Sequence, residues 1–252
     1  MILLLFMLFL GWGSFLNMFA YRIIHGGFER LRSFCLRCTT TIAWYDNIPL
    51  ISWIALRGRC RHCSKPISLL YPTIELFTAC ILTLLWILIP AHYFPAYFLF
   101  FSALIVTIRT DCETMLISRF VSLYLIPLGW LLSSLGYLPI TIIESILGSI
   151  IGYAFLWITA QLFLYITSKE GLGHGDIELI SFIGAYTGII GCWMSIMLGS
   201  IIGSVCGIYI ILTHPKTWRT IRIPFGPFLA VGAMLFILAY DHIIVWLETS
   251  YF

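Results

Sequence analysis

Every lysine and arginine of this chain lies in alternate gaps between apolar stretches, and that pattern limits the possible folds more than any single motif. Eight stretches approach the roughly 20 apolar residues needed to cross a bilayer as a helix: 2–21, 71–89, 93–108, 120–137, 139–166, 177–190, 192–212 and 224–246. The gap 22–70 holds Arg22, Arg30, Arg32, Arg37, Arg57, Arg59, Arg61 and Lys65. The gap after the third stretch holds Arg109 and Arg119, the next alternate gap Lys169, and the last Lys216, Arg219 and Arg222, which completes the 14 basic residues. The intervening gaps, near His92, Leu138 and Gly191, hold none. Basic residues are retained on the cytoplasmic side of a membrane. The pattern therefore predicts eight crossings, with the 22–70 loop in the cytoplasm and both termini outside. Only 10% of residues are charged, against about 25% in soluble domains. The expected fold class is an all-α polytopic membrane protein of about eight transmembrane helices. No basic residue precedes the first stretch and the positive charges follow it, so it reads as a retained span rather than a cleaved signal. The expected organisation is a first transmembrane helix over 1–21, a cytoplasmic loop over 22–70 and a seven-helix core over 71–252. Glu144, in the fifth stretch, is expected at an interface.

The loop is too short to build an ordinary core unaided, but it carries its own staple. Cys35-Leu36-Arg37-Cys38 and Cys60-Arg61-His62-Cys63 form two C-x2-C pairs 21 residues apart. Four thiolates in two knuckles suit tetrahedral zinc, and a reducing cytoplasm disfavours structural disulfides. The expectation is a small zinc-ribbon-like loop ligated by Cys35, Cys38, Cys60 and Cys63, with four reduced, metal-free cysteines or an oxidised pair as the alternatives. The isolated Cys80, Cys112, Cys192 and Cys206 read as small packing residues. Cys112 adjoins Asp111, but no histidine near it in sequence would activate it.

The acids with catalytic potential cluster at two membrane boundaries. Gly171-Leu172-Gly173-His174-Gly175-Asp176 precedes the sixth stretch, and Asp111-Cys112-Glu113 follows the third. The crossing pattern puts both clusters on the cytoplasmic side although 64 residues separate the aspartates. Carboxylates at membrane depth are costly and usually functional. Two that approach closely cannot both ionise and hold one proton between them. That state suits hydrolysis of a peptide by activated water: one carboxylate takes the proton of water and the other assists the carbonyl. The simpler alternative is that the aspartates cap helices. Glu113 and Glu178 read as rim charges, with Glu113 the substitute should Asp111 fail in its role. His174 reads as a loop residue facing the site between Gly173 and Gly175.

With these residues in view, the chain resembles the bacterial type IV prepilin peptidases over nearly its whole length. Gly13-Ser14-Phe15-Leu16-Asn17 and Arg22 are similar to the family's opening segment. The Cys pairs follow, with Asp46-Asn47-Ile48-Pro49-Leu50-Ile51-Ser52-Trp53, Leu56-Arg57-Gly58, Tyr71-Pro72 and Glu75. Asp111 to Ile117 is similar to the first catalytic motif, Gly173-His174-Gly175-Asp176 to the GxGD signature, and Ile223-Pro224-Phe225-Gly226-Pro227-Phe228-Leu229-Ala230 to the last-span signature. The resemblance implies an aspartic endopeptidase of the bacterial inner membrane, with a cytoplasmic catalytic face and periplasmic termini. Its implied action is to cut the basic leader of prepilins and pseudopilins after a glycine and to N-methylate the new terminus from S-adenosylmethionine. Asp111 and Asp176 become the catalytic pair. Glu75 becomes a candidate methyltransferase residue, or a structural one bridged to a loop arginine. Ser118-Arg119 replaces the family's usual Pro-Asp and Glu178 its frequent lysine, which suggests a compensating Arg119–Glu178 pair. Thr110 is a third departure.

The basic loop suits anionic lipid headgroups and lacks any nucleic-acid module. A basic substrate leader would dock on Glu29, Asp46, Glu113, Glu170 or Glu178. The rival readings are a presenilin-like intramembrane protease, disfavoured by the Cys loop and the 224–227 block, and a proton-coupled transporter, disfavoured by acids gathered at one boundary. A third is an inactive scaffold, suggested by Ser118 and Arg119 but opposed by the intact Asp111 and Asp176.

Overall fold

In the computed structural model, residues 1–26, 32–169, 171–213 and 223–240 are described. The described residues are helical, with isolated bridges in place of strands. The elements are α1 (Ile2–His25), a 3-10 turn (Trp44–Asn47), α2 (Ile51–Ala55), α3 (Leu70–Leu88), α4 (Phe94–Thr114), α5 (Arg119–Ser122), α6 (Ile126–Ser134), α7 (Ile142–Thr167), α8 (His174–Thr213) and α9 (Gly226–Leu238). Among the described residues α1, α3, α4, α7 and α8 are long and apolar enough to cross a membrane; the 119–134 and 226–238 segments are shorter apolar helices. The chain divides into two compact units, Met1–Leu88 and Ile89–Phe252.

In the first unit α1 packs on α3. Gly13 makes this possible: a Cβ there would lie 2.9 Å from Glu75 Cα and 3.0 Å from Thr78 Cβ. Small residues let membrane helices approach closely where no hydrophobic drive holds them. Buried Asn17 donates from Nδ2 to Tyr71 O at 3.0 Å. That bond locks the two helices in register in the apolar layer.

In the second unit α4 is buried along most of its length. The third span is expected to end at Ile108, yet α4 continues to Thr114. Arg109 ends the apolar run but not the helix, because its buried guanidinium pairs with Glu113 one turn on. The helix can therefore carry the charge inside the unit. Asp111 thus lies in the last turn of a span rather than beyond it.

The sixth and seventh expected spans are one 40-residue element, α8, broken at Gly188 (φ 70°, ψ −169°). A left-handed φ with extended ψ is open to glycine and to few other residues, so the turn between the two spans needs no loop. The first half of α8 crosses α7 at Gly148 and Gly184. A Cβ on Gly184 would lie 2.3 Å from Gly148 O, so the backbones meet directly. Thr141 and Glu144 form a reciprocal capping box that starts α7, which gives Glu144 an interfacial capping role.

The arginine-free gaps of this unit converge at one end. His92 Nε2 donates to Gly136 O at 2.9 Å, and its ring stacks on Tyr137 with centroids 5.0 Å apart. The break at Gly188 lies against Ile140 and Glu144. The acidic segments lie at the opposite ends of α4 and of the first half of α8, as the alternation of charge requires. Arg30, Lys216, Arg219, Arg222 and the end of the eighth stretch lie outside the described residues.

Candidate functional site

Asp111 and Asp176 stand at two helix ends, near enough for the charge of one to act on the other. Asp111 stands in the last turn of α4, which Met115 closes in the left-handed conformation (φ 55°) by donating its N–H to Asp111 O at 2.9 Å. Asp176 stands in the first turn of α8. Its N–H donates to Gly173 O at 3.1 Å, and its carboxylate accepts from the Gly173 N–H. This is the return half of a capping box, with a carboxylate at the positive end of a helix. The Asp111 carboxylate accepts from the N–H of Gly226, the first residue of α9. The two acids are close enough that the charge of Asp111 acts on Asp176. Each is thus aimed by a backbone N–H at the start of a helix, and neither arrangement needs a basic side chain.

The centre of this arrangement is tightly filled. A Cβ on Gly226 would meet Asp111 Oδ2 at 2.6 Å and Ile117 Cδ1 at 2.9 Å. A Cβ on Gly175 would meet Ile117 Cβ at 2.9 Å. Ile117 therefore lies against a glycine at the head of α8 and another at the head of α9, between the segments that hold the two acids. Gly175 and Gly226 stand where side chains would push the carboxylates or Ile117 aside. Sequence reading notes both positions inside motifs but not their function as space and as a backbone donor. The only signal for it is the glycine itself.

Around the pair, Glu113 is turned to Arg109 on its own helix, and His174 is an exposed residue opening α8. Arg119 Nε lies 3.1 Å from Glu178 Oε1, so the two positions that depart from the resembled pattern form an ion pair. Glu178 Oε2 is buried and makes no hydrogen bond among the described residues. Glu75 accepts from the Leu50 N–H at 3.0 Å and from the Ser14 hydroxyl, rather than from a loop arginine. Of the acids considered for docking a basic leader, Asp46 is taken by Arg61, whereas Glu29 and Glu170 lie outside the described residues.

The four loop cysteines form a second cluster. Their sulfurs all lie within 4.8 Å of one another, with Cys35 Sγ and Cys63 Sγ 3.8 Å apart. A tetrahedron of Zn–S bonds of about 2.3 Å has S···S edges of about 3.8 Å, so the donor set and its spacing fit a structural metal. The two knuckles repeat one backbone pattern. Cys35 N–H donates to Thr40 O and Cys60 N–H to Lys65 O, both at 2.9 Å; Thr39 and Ser64 take left-handed φ of 56° and 54°. A bridge closes each knuckle, Phe34 to Thr41 and Arg59 to Pro66. Hydrogen bonds from Thr40, first its hydroxyl and then its backbone, draw the Cys38 thiol down to about 6. Against a hydrogen bond from the Lys65 backbone, burial and the neighbouring thiols push the Cys63 thiol up to about 11, so the four cysteines titrate as one interacting set.

Comparison with known proteins covers most of the chain. Residues 7–89 match the bacterial peptidase A24 N-terminal domain, and residues 98–212 match the type IV leader peptidase family. The chain is similar to a prepilin leader peptidase/N-methyltransferase of Aeromonas hydrophila, with 35% identity over 221 residues, 87% of this chain and 76% of the relative. It is also 36% identical over 217 residues to that of Aeromonas salmonicida (strain A449), covering 85% of this chain and 74% of the relative. For that of Stutzerimonas stutzeri the identity is 35% over 212 residues, covering 83% and 72%. No solved structure matches.

Proposed function

The chain belongs to the type IV leader peptidase family, and on that premise we propose that Asp111 and Asp176 form the catalytic pair of a membrane aspartic endopeptidase. Its substrates are type IV prepilins and pseudopilins, whose basic leaders it removes after a glycine at the cytoplasmic face of the bacterial inner membrane. The observation that carries this reading is the approach of two carboxylates from distant helices, each held by a helix-start N–H instead of a cation. A carboxylate neutralised by arginine is a poor base. Two uncompensated carboxylates in mutual reach share one proton and titrate as a pair.

Catalysis then needs only these two groups and water. The ionised carboxylate accepts a proton as the water oxygen bonds to the scissile carbonyl carbon. The protonated one hydrogen-bonds the carbonyl oxygen and stabilises the developing negative charge. Collapse of the tetrahedral intermediate breaks the C–N bond, with a proton passing to the leaving amine. The products are a leader ending in a carboxylate and a mature chain with a free N-terminal amine. The Gly226 N–H keeps Asp111 in place throughout.

Zinc held by Cys35, Cys38, Cys60 and Cys63 would fasten the two knuckles of the cytoplasmic loop, and it takes no part in hydrolysis. N-methylation is part of the proposal because the relatives carry N-methyltransferase in their names, with S-adenosylmethionine as the proposed methyl donor. Glu75 is committed to Leu50 and Ser14 in the first unit. In this reading it shapes the loop's attachment to α3 rather than touching a reacting atom. The distribution of basic residues supports a cytoplasmic loop and periplasmic termini in this reading.

The test is cleavage of a model prepilin by purified protein in lipid, with the mass of the product N-terminus as readout. Asp111→Asn and Asp176→Asn keep shape and lose acid–base capacity, so each is expected to lose at least about 10²–10⁴-fold in rate. An added methyl mass on the wild-type product reports the second activity. Wild-type-like cleavage by either variant would remove that aspartate from the mechanism.

A further inference from the structure

The cytoplasmic loop holds an apolar surface that neither hydrolysis nor the cysteine cluster uses. Across residues 44–54, Trp44 is 80% exposed, Ile54 68% and Ile51 56%, with Tyr45 and Ile48 also open. The same segment has an inward side. Ser52 is buried and donates to Tyr45 O at 2.9 Å, and Trp53 packs its ring on Gly58 and donates to Ile67 O at 3.4 Å. The exposed residues are therefore the outer side of an ordered piece. Clustered apolar exposure of this kind on a water-facing loop marks an interaction surface.

The attachment of the segment fixes its depth. Leu50 donates its N–H to Glu75 Oε2 at 3.0 Å and takes a left-handed φ of 59° to do so. Ile51 closes a tight γ-turn around it, donating its N–H to Pro49 O at 2.6 Å. Glu75 is the sixth residue of the 19-residue helix α3. At 1.5 Å per residue α3 is roughly 28 Å long, about the 30 Å of a hydrocarbon core. It has no length to spare outside the bilayer, so Glu75 sits about 7–8 Å below the start of the helix. The Leu50 turn is drawn to that level, and Ile48 and Ile51 flank it.

Charge agrees with this placement. The one charged residue of the segment, Asp46, is neutralised by two hydrogen bonds from Arg61, at 2.6 and 2.8 Å. Arg57, Arg59 and Lys65 follow in the chain, and clustered basic residues are drawn to anionic headgroups.

We propose that residues 44–54 form an interfacial anchor: Trp44, Ile48, Ile51 and Ile54 lie in the headgroup–acyl boundary of the cytoplasmic leaflet, pinned to α3 through Leu50 and Glu75. The occupant of the surface is lipid. Amphipathic elements of this kind enter about 5–10 Å into the interface, the depth that the Glu75 bond sets. The anchor would hold the cysteine-stapled loop flat on the membrane, and this holds whether or not the aspartates cleave peptide.

The test reads Trp44 by difference between wild type and Trp44→Phe, both full-length and in nanodiscs of anionic phospholipid. Lipids brominated on the upper acyl chain are expected to quench the Trp44 difference signal by at least half, with aqueous iodide quenching it little. In an Ile51→Ser/Ile54→Ser variant, the bromine effect should fall and the iodide effect rise. Strong iodide quenching of the wild-type signal with none by bromine would place the segment in water and overturn the proposal. Shielding from both quenchers would mean that protein covers the surface, and would overturn it equally.

Discussion

Gly226→Ala tests the candidate active site without touching either acid. Gly226 is not among the glycines with positive φ, so alanine fits its backbone and any effect comes from the added methyl. That methyl would lie 2.6 Å from Asp111 Oδ2 and 2.9 Å from Ile117 Cδ1. Ordinary contact requires each neighbour to retreat by roughly half an ångström or more. Ile117 is backed by Gly175 at the head of α8, so the carboxylate is the freer partner and yields first. Its retreat stretches the bond from the Gly226 N–H. A hydrogen bond to a charged group contributes about 1.5–3 kcal/mol, equivalent to about 10- to 150-fold in rate. The expected result is a fall of that size in kcat/KM for prepilin cleavage, with thermal unfolding shifted by no more than the overpacking of one methyl, about 1–3 kcal/mol. Gly207→Ala is the control. Nothing lies within 4 Å of a Cβ at Gly207, so activity should hold and stability rise by up to about 1 kcal/mol. Cleavage by Gly226→Ala within threefold of wild type would refute the argument that this backbone donor positions Asp111.

Two further outcomes follow from the same geometry. Cys38→Ser, or removal of metal with a strong chelator, should leave the membrane helices folded but expose residues 32–70 to limited proteolysis, with about one zinc per wild-type chain by elemental analysis; a metal-free, protease-resistant wild type would contradict the metal reading. Arg119→Glu should cost about 1 kcal/mol, roughly fivefold in cleavage, and Arg119→Glu with Glu178→Arg should recover most of it; a double variant no better than the single would show that the pair has no coupled role.

The spans were legible because the bilayer reduces a three-dimensional problem to one of length and side. Apolar length marked eight segments and the alternation of basic gaps assigned their sides. Five described helices are long enough to cross, and the break at Gly188 falls inside the expected sixth segment, two residues before its expected end. Counting crossings put Asp111 and Asp176 on one side of the membrane, and the charge of Asp111 acts on Asp176 in the structure. Other features were not legible because they depend on backbone geometry. Arg109 looked like the end of a span, but its pairing with Glu113 keeps it buried inside the helix. Glu75 was read either as a methyltransferase candidate or as a partner of a loop arginine, and it holds the Leu50 N–H in a turn that no local pattern announces. Gly226 and Gly175 were visible as letters of motifs, but an absent side chain carries no sign of what occupies the space it leaves.

The Arg119–Glu178 pair shows what sequence and structure establish together. Taken singly, each residue is a charge reversal of the resembled pattern beside a candidate catalytic motif, and either could mark lost activity. At 3.1 Å the two reversals answer one another. The exchange of partners keeps a link between the start of α5 and α8 two residues after Asp176. Ile117 lies two residues before Arg119 and rests on Gly175 and Gly226. The ion pair therefore borders the segment that fills the space between the two acids. Glu178 Oε2 is buried without a hydrogen bond among the described residues while Arg119 pairs with Oε1 from a largely exposed position, so an uncompensated change at Arg119 removes a partly exposed pair worth about 1 kcal/mol. A drifting, inactive chain has no reason to keep both halves of such a pair. Their joint presence, with Asp111 and Asp176 intact, favours a working peptidase over a scaffold.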